Sequence, residues 1–347
     1  MIKQFGGKVT RLEIAKYSRS KHWDGKKFNN LEETKMDIPF RAFPKLLFSQ
    51  LFKKKQHLPF QEIKVPPFNA TSFLAPAEHM KFIWYGHSAI LMRLKNKTIL
   101  IDPMFGSDAA PIAPFSIKRF NTISTAIISD FPEIDVLLIS HDHYDHLDLK
   151  SIQLLKGKVK KFFVALGVGR HLISWGVDPN SIVEFDWWEK NSFEDIEFAF
   201  TPTRHFSGRA MKDRFKGLWG GWVIKTDTEN IWFSGDGGFG VHFKEIGDKL
   251  GPFDFAFMEC GQYNKLWRPI HLFPEECIQA AIDAKAKKIM PVHWGSFNLS
   301  DHSWTEPANQ FVEECEKSSF PYLTPMIGEL ITPMNQTKNK HWWEELV

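Results

Sequence analysis

The sequence predicts a mixed α and β fold, of the α+β or α/β class, for residues 78–347. Apolar runs with the length of buried strands outnumber the helical patterns, and they come first along the chain before strands and helices alternate. This order fits two sheets packed face to face with helices outside them. With 347 residues, of which 43% are hydrophobic and 24% are charged, the chain can bury the core of one large globular domain.

The individual elements follow from hydrophobic periodicity and turn signals. Strands are predicted at 81–85, 89–94, 98–102, 134–140, 161–165, 182–185, 196–201, 221–225, 230–234, 253–258, 287–292 and 328–332. Helices are predicted at 148–156, 167–175, 241–249, 274–285 and 307–317. The last two begin at Pro274 and Pro307, because proline suits the first position of a helix.

Residues 1–77 are predicted to form an N-terminal arm, which is charged and interrupted by prolines. Its one helix candidate, 43–55, carries Phe43, Leu47 and Leu51 at helical spacing and lysines at its C-terminal end, where they favour the helix dipole. Two roles stay open for this amphipathic helix. It could pack on the larger domain or on a dimer partner, or it could lie on an anionic membrane surface.

Residues 141–146, with the sequence His-Asp-His-Tyr-Asp-His, carry the strongest chemical signal and directly follow the apolar run 134–140. A buried strand that ends in His and Asp places imidazole and carboxylate groups at the rim of a sheet, where they suit Zn²⁺, Fe or Mn²⁺. Three further apolar runs lead into His205, Asp236 and His293. Strands of one sheet that point the same way would bring these four ends to one edge.

The four strand ends supply seven candidate metal ligands. These are His141, His143, Asp145, His146, His205, Asp236 and His293. Seven ligands exceed the needs of one tetrahedral ion, but they suit two ions that share a bridging carboxylate.

The pattern His-x-His-x-Asp-His, followed by a later His, a Gly-Asp pair and a final His, resembles the metallo-β-lactamase superfamily over roughly residues 82–332. Segments at 84–88, 99–103, 233–236, 245–254, 274–276 and 293–297 resemble the N-acylphosphatidylethanolamine-hydrolysing phospholipase D family and its bacterial relatives. The chain departs from that family at Arg204 and Phe206, beside His205, and at Gly237. Residues 23–30 resemble the N-terminal arms of the bacterial relatives, without a role that their residue types indicate.

The resemblance implies a four-layer αβ/βα sandwich that binds two divalent metal ions, zinc in the first place, with manganese or iron as alternatives. His141, His143 and His205 would hold one ion, and Asp145, His146 and His293 the other, with Asp236 as the bridge. A metal-bridging hydroxide would then attack the substrate, which makes Asp145 a catalytic residue as well as a ligand. His271 matches a family position near the metals and is the candidate general acid or substrate contact.

Three function hypotheses remain open. The first is a phosphodiesterase of phospholipase D type, with N-acylphosphatidylethanolamine among its lipid substrates. The second is a metallohydrolase of a small soluble substrate such as a lactone or a sugar phosphate. The third, from another class, is a non-catalytic metal-binding module. The basic residues Arg204, Arg209, Lys265 and Arg268 are candidate phosphate contacts, and His87 is expected to be structural or to support the ligands.

Charge and composition narrow the partners. A net charge of +3 gives no extended basic surface for nucleic acid. The three cysteines lie far apart in the sequence and argue against a disulfide framework. Since neither a signal peptide nor a membrane-spanning run is visible, we expect a cytoplasmic or membrane-peripheral location. Peripheral membrane contact and a homo-oligomer both stay open.

Overall fold

Thirteen strands make up the two sheets of the computed structural model, which describes residues 3–35, 57–112, 116–210, 212–336 and 339–346. In chain order they are β1 (Lys81–Trp84), β2 (Ile90–Leu94), β3 (Lys97–Ile101), β4 (Ile134–Ile139), β5 (Val159–Ala165), β6 (Ile182–Phe185), β7 (Lys190–Phe193), β8 (Ile196–Thr201), β9 (Gly221–Lys225), β10 (Asn230–Phe233), β11 (Phe255–Glu259), β12 (Ile289–Val292) and β13 (Leu330–Ile331). The helix predicted at 43–55 lies outside the described residues.

Both sheets are mixed. The seven-stranded sheet has the order β13-β1-β2-β3-β4-β5-β6, and its strands β3 to β6 run parallel. The six-stranded sheet has the order β12-β11-β10-β9-β8-β7, in which β10, β11 and β12 run parallel. Because β9 is antiparallel to both β8 and β10, strand β8 points the same way as β10, β11 and β12.

Seven α-helices occur within the described residues. They are α1 (Arg11–Tyr17), α2 (Ala70–Leu74), α3 (Leu149–Leu155), α4 (Gly169–Ser174), α5 (His242–Lys249), α6 (Pro274–Asp283) and α7 (Glu306–Ser318). Short 3₁₀ turns occur at Lys3–Phe5, Thr125–Ser129, Pro179–Ser181, Lys265–Ile270 and Trp342–Leu346. Helix α4 contacts β6 of the first sheet and α6 contacts β11 of the second. The predicted four-layer αβ/βα sandwich is therefore confirmed.

The five helices predicted after residue 78 are all present as α3 to α7, with bounds that differ by a few residues. Besides the short 3₁₀ turns, two α-helices and one strand of the described residues were not predicted: the arm helices α1 and α2, and strand β7. Strand β7 reads Lys-Asn-Ser-Phe and lies at the edge of its sheet with three exposed residues, so it has no apolar run to reveal it.

The two sheets pack through aromatic side chains on their inner faces. The ring of Phe82 on β1 meets that of Phe257 on β11 at 4.9 Å between centroids, and Phe163 on β5 meets Phe198 on β8 at 5.3 Å. Both contacts are edge-to-face, a geometry that aromatic pairs favour. Six tryptophans are fully buried and fill much of the core: Trp84, Trp219, Trp222, Trp232, Trp294 and Trp343.

The strands that carry the candidate ligands belong to two sheets. Strand β4, which leads into His141, lies in the seven-stranded sheet, whereas β8, β10 and β12 lie in the six-stranded sheet. The prediction that all four share one sheet is therefore wrong, because local hydrophobicity marks where a strand ends but not which strand it pairs with. The sheets meet at this edge, where the main-chain N–H of Gly220 donates to the carbonyl of Ser140 at 3.1 Å.

The N-terminal arm packs closely on the sandwich. Tyr17 and Phe28 are fully buried within the hydrophobic core, and Thr10 caps α1 by accepting a hydrogen bond from the N–H of Glu13. The division of the chain at residue 78 stays a prediction. Among the described residues, no helix combines the length and the apolar character needed to cross a membrane. The three cysteines are buried free thiols.

Candidate metal centre

The motif at 141–146 forms a tight turn between β4 and α3. The main-chain N–H groups of His146 and Leu147 both donate to the carbonyl of His143, and Asp148 caps α3 through the N–H of Ser151. This turn ends the buried strand and begins the helix within a few residues. Its side chains consequently project into the space where the two sheets meet.

Three histidines form the first ligand group, which is made of His141, His143 and His205. The Nδ1 atom of His143 lies 2.9 Å from Nε2 of His141 and 3.2 Å from Nε2 of His205. At these distances the three nitrogens cannot all carry protons, because their N–H groups would face one another. Without protons, their lone pairs face one another and repel. A cation bound by all three lone pairs removes this repulsion, so the group can hold a metal ion.

The second group is made of Asp145, His146 and His293, and Asp236 lies beside it. The Nε2 atom of His293 lies 3.2 Å from Oδ2 of Asp145 and 3.1 Å from Oδ2 of Asp236. The Nε2 atom of His146 also lies 3.1 Å from the Asp236 oxygen. Because Oδ2 of Asp236 is 4.0 Å from Nε2 of His141 as well, this carboxylate stands between the two groups.

Burial and charge set different protonation states in the two groups. Burial lowers the pKa of His143 to about 4 and the pKa of His141 and His205 well below the usual value, so these rings are neutral. Burial also opposes the charged form of His293, but Asp236, Asp145 and Glu259 outweigh it and raise the pKa of this ring to about 9. A bound cation would replace the proton that the carboxylates now attract.

In four of the five candidate histidine ligands, the ring nitrogen that faces away from the centre contacts the protein, whereas Nε2 of His143 has no hydrogen-bond partner among the described residues. The pairs are His141 Nδ1 with Ser140 Oγ, His146 Nδ1 with Asp102 Oδ2, His205 Nδ1 with the carbonyl of Ile270, and His293 Nδ1 with Glu259 Oε1. Histidines that bind metals are normally oriented in this way. By contrast, the inward atom Oδ1 of Asp236 is buried without a hydrogen-bond partner among the described residues. This donor set fits divalent metal ions.

Two carboxylates of this outer layer, Asp102 and Glu259, received no role in the sequence prediction. Asp102 directly follows β3 and accepts hydrogen bonds from Ser140 as well as His146. Glu259 closes β11 and contacts Nδ1 of both His271 and His293. Each lies at the end of a buried strand, so the signal that revealed the ligands could also have revealed them.

His271, the predicted general acid or substrate contact, lies beside a cavity at the centre. Its Nδ1 is 3.1 Å from Glu259, and its ring lies 5.1 Å from that of His205 and 5.2 Å from that of His293. The cavity measures about 210 Å³ and is lined by five of the seven candidate ligands, Gln262 and His271. Four apolar residues complete its wall: Phe206, Trp267, Ile270 and Leu299.

Of the basic residues considered for phosphate contact, three are engaged by the protein itself. Arg204 donates to Thr34 and to main-chain carbonyls, Arg209 donates to the carbonyls of Asp142 and Leu147, and Arg268 pairs with glutamates of α6. Lys265 is exposed. None of these four described residues lines the cavity.

Comparisons with known proteins show the family to which the chain belongs. The family model for the Beta-lactamase superfamily domain matches residues 97–294. An uncharacterized protein of Mycobacterium tuberculosis is 33% identical over 80% of this chain and 76% of its own length. The N-acyl-phosphatidylethanolamine-hydrolyzing phospholipase D 1 of Caenorhabditis elegans is 30% identical over 74% of each chain.

Among solved structures, a metallo hydrolase from Ignicoccus hospitalis is similar with a TM-score of 0.56 and 19% identity, covering 73% of this chain and 97% of that one. At this level of identity the likeness concerns the fold. The family model covers more than half of the chain. The protein therefore belongs to the beta-lactamase superfamily, as a metal-dependent hydrolase with the metallo-β-lactamase fold.

Proposed function

We propose that the protein is a phosphodiesterase of phospholipase D type that acts on lipids such as N-acylphosphatidylethanolamine with the help of two divalent ions, zinc in the first place. The observation that carries the proposal is the position of Asp236. Its Oδ2 atom lies 3.1 Å from the inward nitrogens of His146 and His293 and 4.0 Å from that of His141. One carboxylate within reach of both groups is the arrangement that a bridged pair of ions requires.

In this proposal His141, His143 and His205 hold the first ion, and Asp145, His146 and His293 hold the second. Such a pair of ions, when bound, lowers the pKa of a shared water and polarises a phosphoryl oxygen. Asp102 and Glu259 fix the rings of His146 and His293, because each accepts from the ring nitrogen on the far side. Asp145 contributes to catalysis as a ligand.

His271 supplies the proton for the leaving group in this proposal. Its Nδ1 is engaged by Glu259, which leaves Nε2 for contact with a substrate in the cavity. Water adds to phosphorus and releases one proton to the solvent, the bond from phosphorus to the alcohol oxygen breaks, and that oxygen takes a proton from His271, which recovers one from the solvent.

The apolar part of the cavity supports a substrate with an apolar portion. Phe206, Trp267, Ile270 and Leu299 line the space directly beside the candidate ligands. The relative from Caenorhabditis elegans is named for hydrolysis of N-acylphosphatidylethanolamine, which combines a phosphodiester with acyl chains. On this proposal the enzyme reaches its lipid by peripheral contact with a membrane.

One observation favours a second candidate function. The cavity of about 210 Å³ is smaller than the roughly 300–1,000 Å³ of typical ligand sites. A small soluble substrate, such as a lactone or a small phosphodiester, would fit it without further opening.

A substrate panel tests the proposal. Zinc-loaded protein is offered bis-p-nitrophenyl phosphate, a lactone and N-acylphosphatidylethanolamine in mixed micelles, with the Asp236→Ala variant as the matched negative control. We expect release of N-acylethanolamine and phosphatidic acid from the lipid. Hydrolysis of the lactone or of bis-p-nitrophenyl phosphate without hydrolysis of the lipid would support the second candidate, and no hydrolysis of any substrate by the loaded protein would support a non-catalytic module.

A further inference from the structure

We infer that the N-terminal arm is part of the metal centre, with Asn30 as the residue that positions His205. The Oδ1 atom of Asn30 accepts a hydrogen bond from the main-chain N–H of His205 at 3.0 Å, and its Nδ2 donates to the carbonyl of the same residue at 2.8 Å. One side-chain amide thus binds both main-chain polar groups of one candidate ligand. The inference rests on the proposed function, because it gives Asn30 a role through a ligand of the first ion.

His205 needs such a partner because it lies beyond the end of β8. The strand ends at Thr201, and residues 202–207 continue without helix or sheet. Asn30 satisfies a main-chain donor and a main-chain acceptor that have no other hydrogen-bond partner among the described residues, as a neighbouring strand would do in a sheet. A fixed main chain at His205 in turn fixes where its imidazole can lie.

The amide of Asn30 is itself held in one orientation. The indole Nε1 of Trp219 donates to Oδ1 of Asn30 at 3.0 Å, while Trp219 is fully buried. Two N–H groups therefore point at the same side-chain atom, which identifies it as the oxygen. The Nδ2 atom must then face the carbonyl of His205.

The neighbouring residues of the arm connect the loops that carry two candidate ligands. Arg204, directly before His205, donates to Thr34 Oγ1, to the carbonyl of Glu33 and to the carbonyl of Phe239. Glu32 accepts from the main-chain N–H of Val241 at 2.8 Å. Residues 30–34 therefore lie between the loop of His205 and the loop that follows Asp236.

This role accounts for the stretch 23–30, for which the sequence indicated none. The carboxylate of Asp24 accepts from the N–H groups of Lys26 and Lys27 and closes a turn. Phe28 then enters the core, and its N–H donates to the carbonyl of Phe215 at 3.0 Å. The turn and the buried ring set the place at which Asn30 meets His205.

The test compares Asn30→Ala and Asn30→Asp with the control Leu31→Ala, whose side chain is exposed and next to Asn30. Zinc affinity is measured by competition with a chromophoric chelator, and thermal unfolding is recorded for the metal-free and zinc-loaded proteins. We expect Asn30→Ala to lower the affinity for one of the two zinc ions about 10- to 100-fold, which is the usual effect of removing a group that orients a metal ligand. The affinity for the other ion should change little. The metal-free variant should unfold at a lower temperature, because the main-chain groups of His205 lose their partner.

The aspartate variant refines the result. A carboxylate at position 30 still accepts from the N–H of His205, but its second oxygen faces the carbonyl of His205 without a proton to donate, so we expect a loss of affinity for the same ion. If Asn30→Ala fails to fold, the aspartate variant alone tests the inference. A lower affinity for one zinc ion would support it, and unchanged affinity for both ions would contradict it. Wild-type zinc affinity in a folded Asn30 variant, or an equal loss in Leu31→Ala, would overturn the inference. If the wild-type protein binds no zinc, it is the proposed function that fails.

Discussion

The Nε2 atom of His87 lies 2.8 Å from Oδ2 of Asp145, although the two residues are 58 positions apart in the sequence. The His87 ring is buried and lies 4.2 Å from that of His293. Its Nδ1 has no hydrogen-bond partner among the described residues, unlike the outward nitrogens of His141, His146, His205 and His293. This geometry suits a ring that donates from Nε2 to orient Asp145, and it agrees with the supporting role expected from the sequence.

Replacing His87 should weaken the binding of the second metal ion. His87→Ala removes the donor to Asp145, so we expect about a 10- to 100-fold loss of affinity for one zinc ion. His87→Gln keeps an N–H donor and should lose less. Chelator competition measures both variants. If His87→Ala bound both ions with the same affinities as the wild type, His87 would not support Asp145.

Asp102 should matter both for folding and for metal binding. Its carboxylate accepts from the N–H and the hydroxyl of Ser140 and contacts Nδ1 of His146, all at buried positions. Asp102→Ala leaves these groups unpaired at about 1–3 kcal/mol each, so we expect a clear loss of thermal stability. Asp102→Asn keeps the shape and should fold, but it should bind the second ion more weakly. Thermal unfolding with and without zinc checks this; an alanine variant as stable as wild type would contradict it.

Replacing Asp236 by Ala should abolish turnover, because both ions lose an anionic ligand. The fold should persist, since β10 and its neighbours are buried by their own apolar side chains. Circular dichroism and zinc content are measured on the same sample as activity. Turnover near the wild-type rate with both ions retained would exclude Asp236 as the bridge.

The metal content itself is a further prediction. Elemental analysis of protein purified without chelators should find more than one equivalent of divalent metal per chain, and two at saturation. Removal of the metal should abolish hydrolysis, and zinc, or manganese or iron in its place, should restore it. Full hydrolytic activity in metal-free protein would be incompatible with the proposed mechanism.

His242 predicts how stability depends on pH. Burial, with the charge of Arg204, lowers the pKa of this ring to about 3. Between roughly pH 6.5 and pH 3 this ring is therefore protonated in the unfolded chain but neutral in the folded protein. The free energy of unfolding is consequently highest above pH 6.5 and decreases as the pH falls through this range. Between pH 7 and pH 5 the free energy of unfolding should fall by up to about 2 kcal/mol more in the wild type than in His242→Gln.

Urea unfolding of the two zinc-loaded proteins at both pH values measures this difference. The pH dependence of metal binding is common to both and cancels in the comparison. Parallel curves of unfolding free energy against pH would show that the ring does not exclude the proton.

The sequence by itself determined the composition of the candidate metal centre. The apolar runs before His141, His205, Asp236 and His293 mark buried strands, and a residue that follows such a strand must lie at the rim of a sheet. Local hydrophobicity contains this information, and the spacing within 141–146 adds the family resemblance. The fold class and the superfamily followed from the same short segments, and both are confirmed.

Only the tertiary structure decided which residues support that centre. The pairs His87 with Asp145, Glu259 with His271, and Asn30 with His205 join residues that no local period relates. The division of the ligand strands between two sheets was equally hidden, because strand pairing depends on how distant segments pack. Hydrophobic periodicity indicates which face of an element is buried. Which element packs against that face depends on the free energy of the whole fold.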